Sequence, residues 1–143
     1  MGALPIWREV DDADKTDEAR QLRAMAAEMA VDTSVHRIVE LGDHGASFAE
    51  ATRNTVDVSQ LLTFKHGASN IIMSATNKGA NVLSLPIAMR YPISDKKIKR
   101  HAAVRIGRLV RNAPTTREEA TDYTARVQSA VQACLDYTYG KAA

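Results

Sequence analysis

The stretch "TTREEATDYTARVQSAVQACLDYTYG", residues 115–140, has the strongest helical periodicity in the chain. Thr116 and Glu119 have the spacing of a capping box, in which two side chains satisfy free N–H groups of the first helical turn. Gly140 is a typical residue just beyond a helix end. The apolar positions between recur every three or four residues and are Ala120, Tyr123, Val127, Ala130, Val131, Cys134 and Tyr137. This pattern predicts a long helix with one face packed on a core.

The N-terminal half carries further signals for the start and end of helices, and no segment alternates apolar and polar residues like a strand. A first helix is expected over residues 17–31, and a short second one from Thr33 to Leu41, where Gly42 follows. A third helix is expected over residues 47–55. The apolar stripe of the first helix is Leu22, Met25, Ala26 and Met29.

The middle of the chain also predicts helices. Cap spacing favours a helix over residues 57–77, with Gly67 in its interior and a stop near Gly79. The segment "NVLSLPIAMRYP", residues 81–92, predicts a short helix, because Pro86 fits only in a first helical turn.

These segments together predict an all-α protein, a compact bundle of five to seven helices. A short irregular N-terminal arm is expected over residues 1–12, and a single helical-bundle domain over residues 13–143. A chain of 143 residues is long enough for one core. With one cysteine, no apolar run near ~20 residues and no secretory signal, we expect a cytoplasmic protein without a membrane partner.

The charges are distributed unevenly along the chain. Residues 1–50 hold 11 acids and 5 bases, a net charge of −6. Residues 51–143 hold 6 acids and 14 bases, a net charge of +8. An acidic and a basic pole favour head-to-tail association with further copies of the chain.

The segment "SDKKIKRHAAVRIGRLVRN", residues 94–112, carries seven Lys or Arg residues and one Asp. Interpreted as a helix, it places its cations in an arc of roughly 140° opposite an aliphatic face. The residues of this arc are Lys97, Arg100, His101, Arg105, Arg108 and Arg111. Without acids after Asp95 the like charges repel, so the segment predicts a surface that binds a nucleic-acid backbone, sensitive to salt and indifferent to base sequence.

The secondary basic positions are Arg53, Lys65, His66, Lys78 and Arg90, of which the first four are candidates to extend this surface. A merely solvated helix face and an acidic protein partner are the alternative interpretations of the basic segment.

Catalytic and metal-binding patterns are weak. The four histidines lie far apart, and neither an HExxH motif nor a cysteine pair occurs. Asp43, His44 and Ser47 lie close in sequence, but a capping role explains Ser47 better than a catalytic triad. Cys134 lies on an apolar stripe and is expected to be a core residue. The sequence therefore predicts a non-catalytic protein with no cofactor and no metal.

Three segments resemble the small helical subunit of multi-subunit CRISPR effector complexes of types III and IV. They are "VSQLLTF" (58–64), "LSLPIAMRYP" (83–92) and "VQSAVQACLDYTYGK" (127–141), within a similarity over about residues 34–140. Leu62 stands where several relatives have Arg, so a nucleic-acid contact there is not carried over.

The resemblance implies a non-catalytic subunit that stacks in several copies along the guide–target duplex or the displaced strand. Its partners would be the guide RNA or target backbone, and the backbone and large subunits of the complex. An alternative function is a phage or virus coat protein, or another self-assembling structural protein, whose basic segment neutralises packaged nucleic acid. An adaptor that binds an acidic helix is the third hypothesis.

Overall fold

The computed structural model describes residues 17–47, 59–90, 93–94, 97–98 and 102–140, with the two short pairs described as backbone only. The chain divides into two compact units, Met1–Gly45 and Ala46–Ala143. The elements are the helices α1 (Asp17–Leu41), α2 (Gly67–Asn77) and α3 (Arg117–Thr138) and the strands β1 (Ile87–Arg90), β2 (Ile93–Ser94), β3 (Lys97–Ile98) and β4 (Ala103–Ile106).

The first unit contains α1, one continuous helix where two were predicted. No Gly or Pro interrupts residues 17–41, and the Ser34 hydroxyl donates to the Ala30 carbonyl (2.7 Å) across the expected break. The predicted stop is confirmed, because Gly42 follows the helix with φ 63°. The Asp43 N–H then donates to the Arg37 carbonyl at 3.0 Å.

The C-terminal helix α3 confirms the strongest sequence pattern. The Thr116 hydroxyl accepts the Glu119 N–H (3.2 Å), and the Glu119 carboxylate accepts the Thr115 and Thr116 N–H groups at 2.7 and 3.3 Å. These bonds to the ionised form lower the pKa of Glu119, with the Thr115 backbone bond as the largest cause. Gly140 follows the helix end with φ 69°.

Strands β1 and β4 pair antiparallel, with Ile87 opposite Ile106 and Met89 opposite Val104. The pairing continues beyond β1 and β4 through the Gly107 N–H, which donates to the Pro86 carbonyl (2.9 Å), and through a bridge between Ser84 and Val110. We call residues 83–90 and 103–110 the ribbon. One residue, Leu85, faces two residues of the other strand, Arg108 and Leu109, so the ribbon contains a β-bulge there.

The prediction of an all-α bundle of five to seven helices is wrong, because the described residues hold three helices and antiparallel strand pairs. Both the short helix expected in residues 81–92 and the basic helix expected in residues 94–112 are replaced by strands. Side-chain burial in residues 83–89 repeats every two residues, as in a strand, and not every three or four. Along residues 83–89 the odd positions are exposed, while the even positions are partly or fully buried. Pro86 is tolerated because the described pairing uses only its carbonyl.

Helix α2 is shorter than the helix predicted over residues 57–77, and Gly67 is its first residue. Residues 59–66 are not helical, because side chains of α3 bind their backbone. The Gln132 amide accepts the Leu61 N–H (2.9 Å) and donates to the Ser59 carbonyl (3.1 Å), and the Gln128 amide accepts the Phe64 N–H (3.0 Å). The predicted helix over 47–55 and the arm over 1–12 lie outside the described residues.

The second unit is organised around α3, which contacts α2, β1 and β4. The Tyr123 hydroxyl donates to the Ser84 hydroxyl at 2.8 Å, near one end of the ribbon. Further along, Cys134 and Leu135 bury Ala88 of β1. On the α2 side, the Ser69 and Thr124 hydroxyls are hydrogen-bonded at 2.6 Å.

Gly107 lies where the ribbon packs tightly against α3. A Cβ atom at this position would stand 2.7 Å from the Cys134 sulfur and 3.3 Å from Pro86 Cγ. The helix and the ribbon can therefore pack at this distance only if residue 107 has no side chain.

The substitution Gly107→Ala should lower the free energy of unfolding by about 1–3 kcal/mol, because it overpacks this contact. Cys134→Ala removes the clashing sulfur, so the double variant Gly107→Ala/Cys134→Ala should be more stable than the sum of the two single effects. Denaturant unfolding of all four proteins measures the coupling. Additive effects would show that the contact at Gly107 is not tight.

Thr116→Ala should lower the free energy of unfolding by about 1 kcal/mol, because the first turn of α3 loses its cap. Thr121→Ala is the matched control, since this exposed hydroxyl donates only to the Arg117 carbonyl (3.4 Å) within the same helix. Thermal or denaturant unfolding should separate the two variants. Equal stabilities would mean that the capping box does not stabilise the fold.

Candidate nucleic-acid interface

The structure describes side chains for six of the ten predicted binding residues. All six residues are exposed to solvent: Lys65, His66, Lys78, Arg105, Arg108 and Arg111. Lys97 lies in β3, where its backbone pairs with Ser94. Arg53, Arg100 and His101 lie outside the described residues.

The six residues fall into two groups. Lys65 and His66 precede α2 and Lys78 follows it, so about 16 Å of helix separates these basic residues. Arg105 lies in β4, and Arg108 and Arg111 lie in the chain that leads from β4 towards α3. The single helical arc predicted for the basic segment is wrong, because a strand replaces its helix. The role of these residues in binding stays a prediction.

Two arginines lie on the side of the ribbon that faces α3. Their guanidinium groups stack on tyrosine rings, Arg105 over Tyr137 at 4.1 Å and Arg90 over Tyr139 at 4.3 Å from the ring centre. Arg90 also donates to the Thr138 carbonyl. Stacking holds the planar group in place while leaving N–H donors for another acceptor, such as a phosphate.

Sequence reasoning missed Arg126 as part of this region. Its guanidinium lies 5.0 Å from the ring centre of Tyr123 and donates to the carbonyls of Arg111 and Asn112 at 3.1 and 3.0 Å. Asn112 has a positive φ of 57°, and Arg126 therefore holds the turn that connects the ribbon to α3. The available signal was the spacing of Tyr123 and Arg126, three residues apart on one helix face.

Ion pairs do not neutralise the described cations of the second unit. The two salt bridges of the described residues, Arg20–Asp17 (3.2 Å) and Arg37–Asp43 (2.7 Å), both lie in the first unit. In the described part of residues 46–143, no Lys or Arg forms a salt bridge with a carboxylate. The charge of these described cations is therefore left to solvent ions or to an external polyanion.

Other possible sites are weaker. Asp43 Oδ2 accepts from Arg37 Nε at 2.7 Å, and no hydrogen bond of the described residues joins Asp43 to His44. The described residues contain no group of three potential metal ligands and no helix that could cross a membrane. A groove of about 580 Å³ between residues 60–61 and α3 is lined by Leu61 and by small and amide side chains. Asp136 is its one charged residue, so it lacks the cations of the interface.

Comparison with known proteins gives no relative, since no family model, curated protein or solved structure matches this chain.

Cys134 is buried beside Ala88, which confirms its expected place in the core. Burial raises the pKa of its thiol, while the nearby Arg105 charge acts in the opposite direction. A raised pKa leaves less thiolate at neutral pH, and the thiolate is the reactive form.

The native protein should therefore react with an aromatic disulfide reagent at least about tenfold more slowly than the unfolded chain. Its rate should also go on rising with pH above the ordinary cysteine range. Ser129→Cys in a Cys134→Ala background is the control, because residue 129 is exposed on the same helix and should react fast. Equal native rates for the two thiols would contradict the burial of Cys134.

Proposed function

We propose that this chain is a non-catalytic structural protein that assembles in several copies on a nucleic-acid backbone, as the coat protein of a phage or virus does. The proposal combines two properties of the second unit. One is a set of exposed cations for phosphates, and the other is an exposed apolar surface for contacts between proteins.

The observation that carries the proposal is the uncompensated charge of the second unit. Residues 46–143 contain 14 Lys or Arg and 7 Asp or Glu, a net charge of +7. Arg108 and Arg111 are exposed, and neither forms a salt bridge. A folded unit with this much net positive charge repels itself, and phosphate groups relieve the repulsion.

The ribbon favours the coat-type function over a CRISPR accessory subunit. The resemblance to that subunit depends on segments of a helical protein, yet "LSLPIAMRYP" contains β1 and the described part of "VSQLLTF" is not helical. The CRISPR function stays a prediction, and genes beside the coding sequence can separate the two. Phage structural genes favour a coat protein, and CRISPR repeats favour the accessory subunit.

Binding to nucleic acid is tested with the double variant Arg108→Glu/Arg111→Glu. We expect the wild type to bind a labelled RNA of arbitrary sequence, with an affinity that falls steeply between about 50 and 200 mM salt. The variant should bind at least about tenfold more weakly, and its salt slope should be smaller by roughly 1.4–1.8, because about two phosphate contacts are lost. Fluorescence anisotropy at several salt concentrations measures both quantities.

Arg20→Glu/Arg23→Glu is the matched control, since it makes the same change in net charge within the first unit. It should bind RNA nearly as well as the wild type if the contacts are local to the second unit. A wild-type protein that binds neither RNA nor DNA even at low salt would contradict the proposed function.

A further inference from the structure

The ribbon has one face covered by α3 and one face open. The open face, which we call the outer face, consists of six large apolar residues that are 45% to 57% exposed: Leu83, Leu85, Ile87, Met89, Val104 and Ile106. Directly opposite partners in an antiparallel pair lie on the same side of the sheet, so Ile87 and Ile106, and Met89 and Val104, form two cross-strand apolar pairs.

This arrangement differs from that of an ordinary surface sheet. An antiparallel sheet with one solvated face usually turns its apolar residues to the core and its polar residues to water. Here the side towards α3 carries Arg90 and Arg105 beside the buried Pro86 and Ala88, while the six residues of the outer face are aliphatic or Met. The most apolar surface of the ribbon therefore makes no extensive contact with the described residues.

We propose that the outer face is an interface between two copies of this chain, in which the face of one copy packs on the same face of the other. This inference rests on the self-association within the proposed function and names the surface that performs it. Two observations indicate that a second copy of the chain binds this face: the size of the patch and the distribution of charge around it.

The size fits a protein interface. Six large apolar side chains at about half exposure give a patch on the order of several hundred Å². This is the size of the largest apolar patch on a typical monomer, which is often functional, and a substantial part of the ~800 Å² that each partner contributes to a standard interface. A two-fold contact needs a surface that is complementary to itself. A flat apolar face meets this requirement without matching any charges.

The charge distribution argues for the same contact. Two copies of the second unit, each with a net charge of +7, repel each other wherever their cations meet. The outer face has no charged side chain among its six residues, so two copies can approach there and keep Arg90 and Arg105 on the far sides of both ribbons. Such a dimer would present cations on two opposite surfaces.

The salt dependence of self-association distinguishes this apolar contact from an association between acidic and basic poles. Screening weakens repulsion between the cationic units but does not weaken an apolar contact. Sedimentation velocity of the full chain without nucleic acid should therefore show tighter self-association at about 500 mM than at about 50 mM salt. Association that weakens with salt would overturn the outer face in favour of contacts between the poles.

The double variant Ile87→Thr/Ile106→Thr tests the face directly. Threonine keeps the β-branched shape that suits a strand, while removing apolar area from the centre of the face. The dissociation constant should rise by at least about tenfold. Leu22→Gln/Met29→Gln is the control, because it removes exposed apolar residues from α1, and it should associate like the wild type. Loss of association in the control alone would assign the contact to α1 and overturn the proposal.

A crosslink gives a second measurement that does not depend on a loss of stability. Ile87→Cys in a Cys134→Ala background should form a covalent dimer with a short bismaleimide, and Leu22→Cys in the same background should not. No dimer from the first protein would overturn the interface. RNA binding by Ile87→Thr/Ile106→Thr should persist, so failure of the interface and failure of nucleic-acid binding can be told apart.

Discussion

The fold of the second unit depends on the contact between α3 and the ribbon at Gly107. The helix lies close enough that the Cys134 sulfur occupies the space where a Cβ atom would stand. This approach lets Tyr123 reach Ser84 at one end and lets Arg105 stack on Tyr137 towards the other. A two-stranded ribbon alone is marginally stable in water, so it needs this helix as its support.

The same helix supports the unit from its second side. Gln128 and Gln132 bind the backbone of residues 59–64 as a neighbouring strand would, and Thr124 bonds with Ser69 of α2. One helix therefore holds three pieces of chain that are distant in sequence. Helix α3 packs on α2 on one side and on the inner side of the ribbon on the other. The apolar side of the ribbon faces away from α3 and remains exposed. The division of the ribbon into a supported cationic side and an open apolar side follows from this geometry.

Sequence reasoning predicted the elements whose boundaries are set by local chemistry. The capping box at Thr116 and the glycines after α1, α2 and α3 marked four of the six ends of the described helices, because each satisfies backbone groups within a few residues. It failed where distant residues decide the structure. Residues 59–66 have the apolar spacing of a helix. Their backbone groups instead bond to the side chains of Gln128 and Gln132, which lie more than sixty residues away.

The ribbon was missed for a related reason. The spacing of Val104, Ile106 and Val110 is compatible with both a helix and a strand, and charged residues between them suggested an amphipathic helix. The bulge opposite Leu85 shifts the pairing by one residue and hides the period of two beyond Gly107. The six predicted basic residues whose side chains are described are exposed, but the arrangement of those in the basic segment depends on strand pairing that local patterns do not encode.

The tight approach at Gly107 also constrains how this sequence can diverge. A relative with any side chain at the position of Gly107 must have a smaller residue at the position of Cys134, or a wider spacing between helix and ribbon. These two positions should therefore change together during evolution, although 27 residues separate them. The paired substitution would identify distant members of this lineage after the rest of their sequences had lost resemblance.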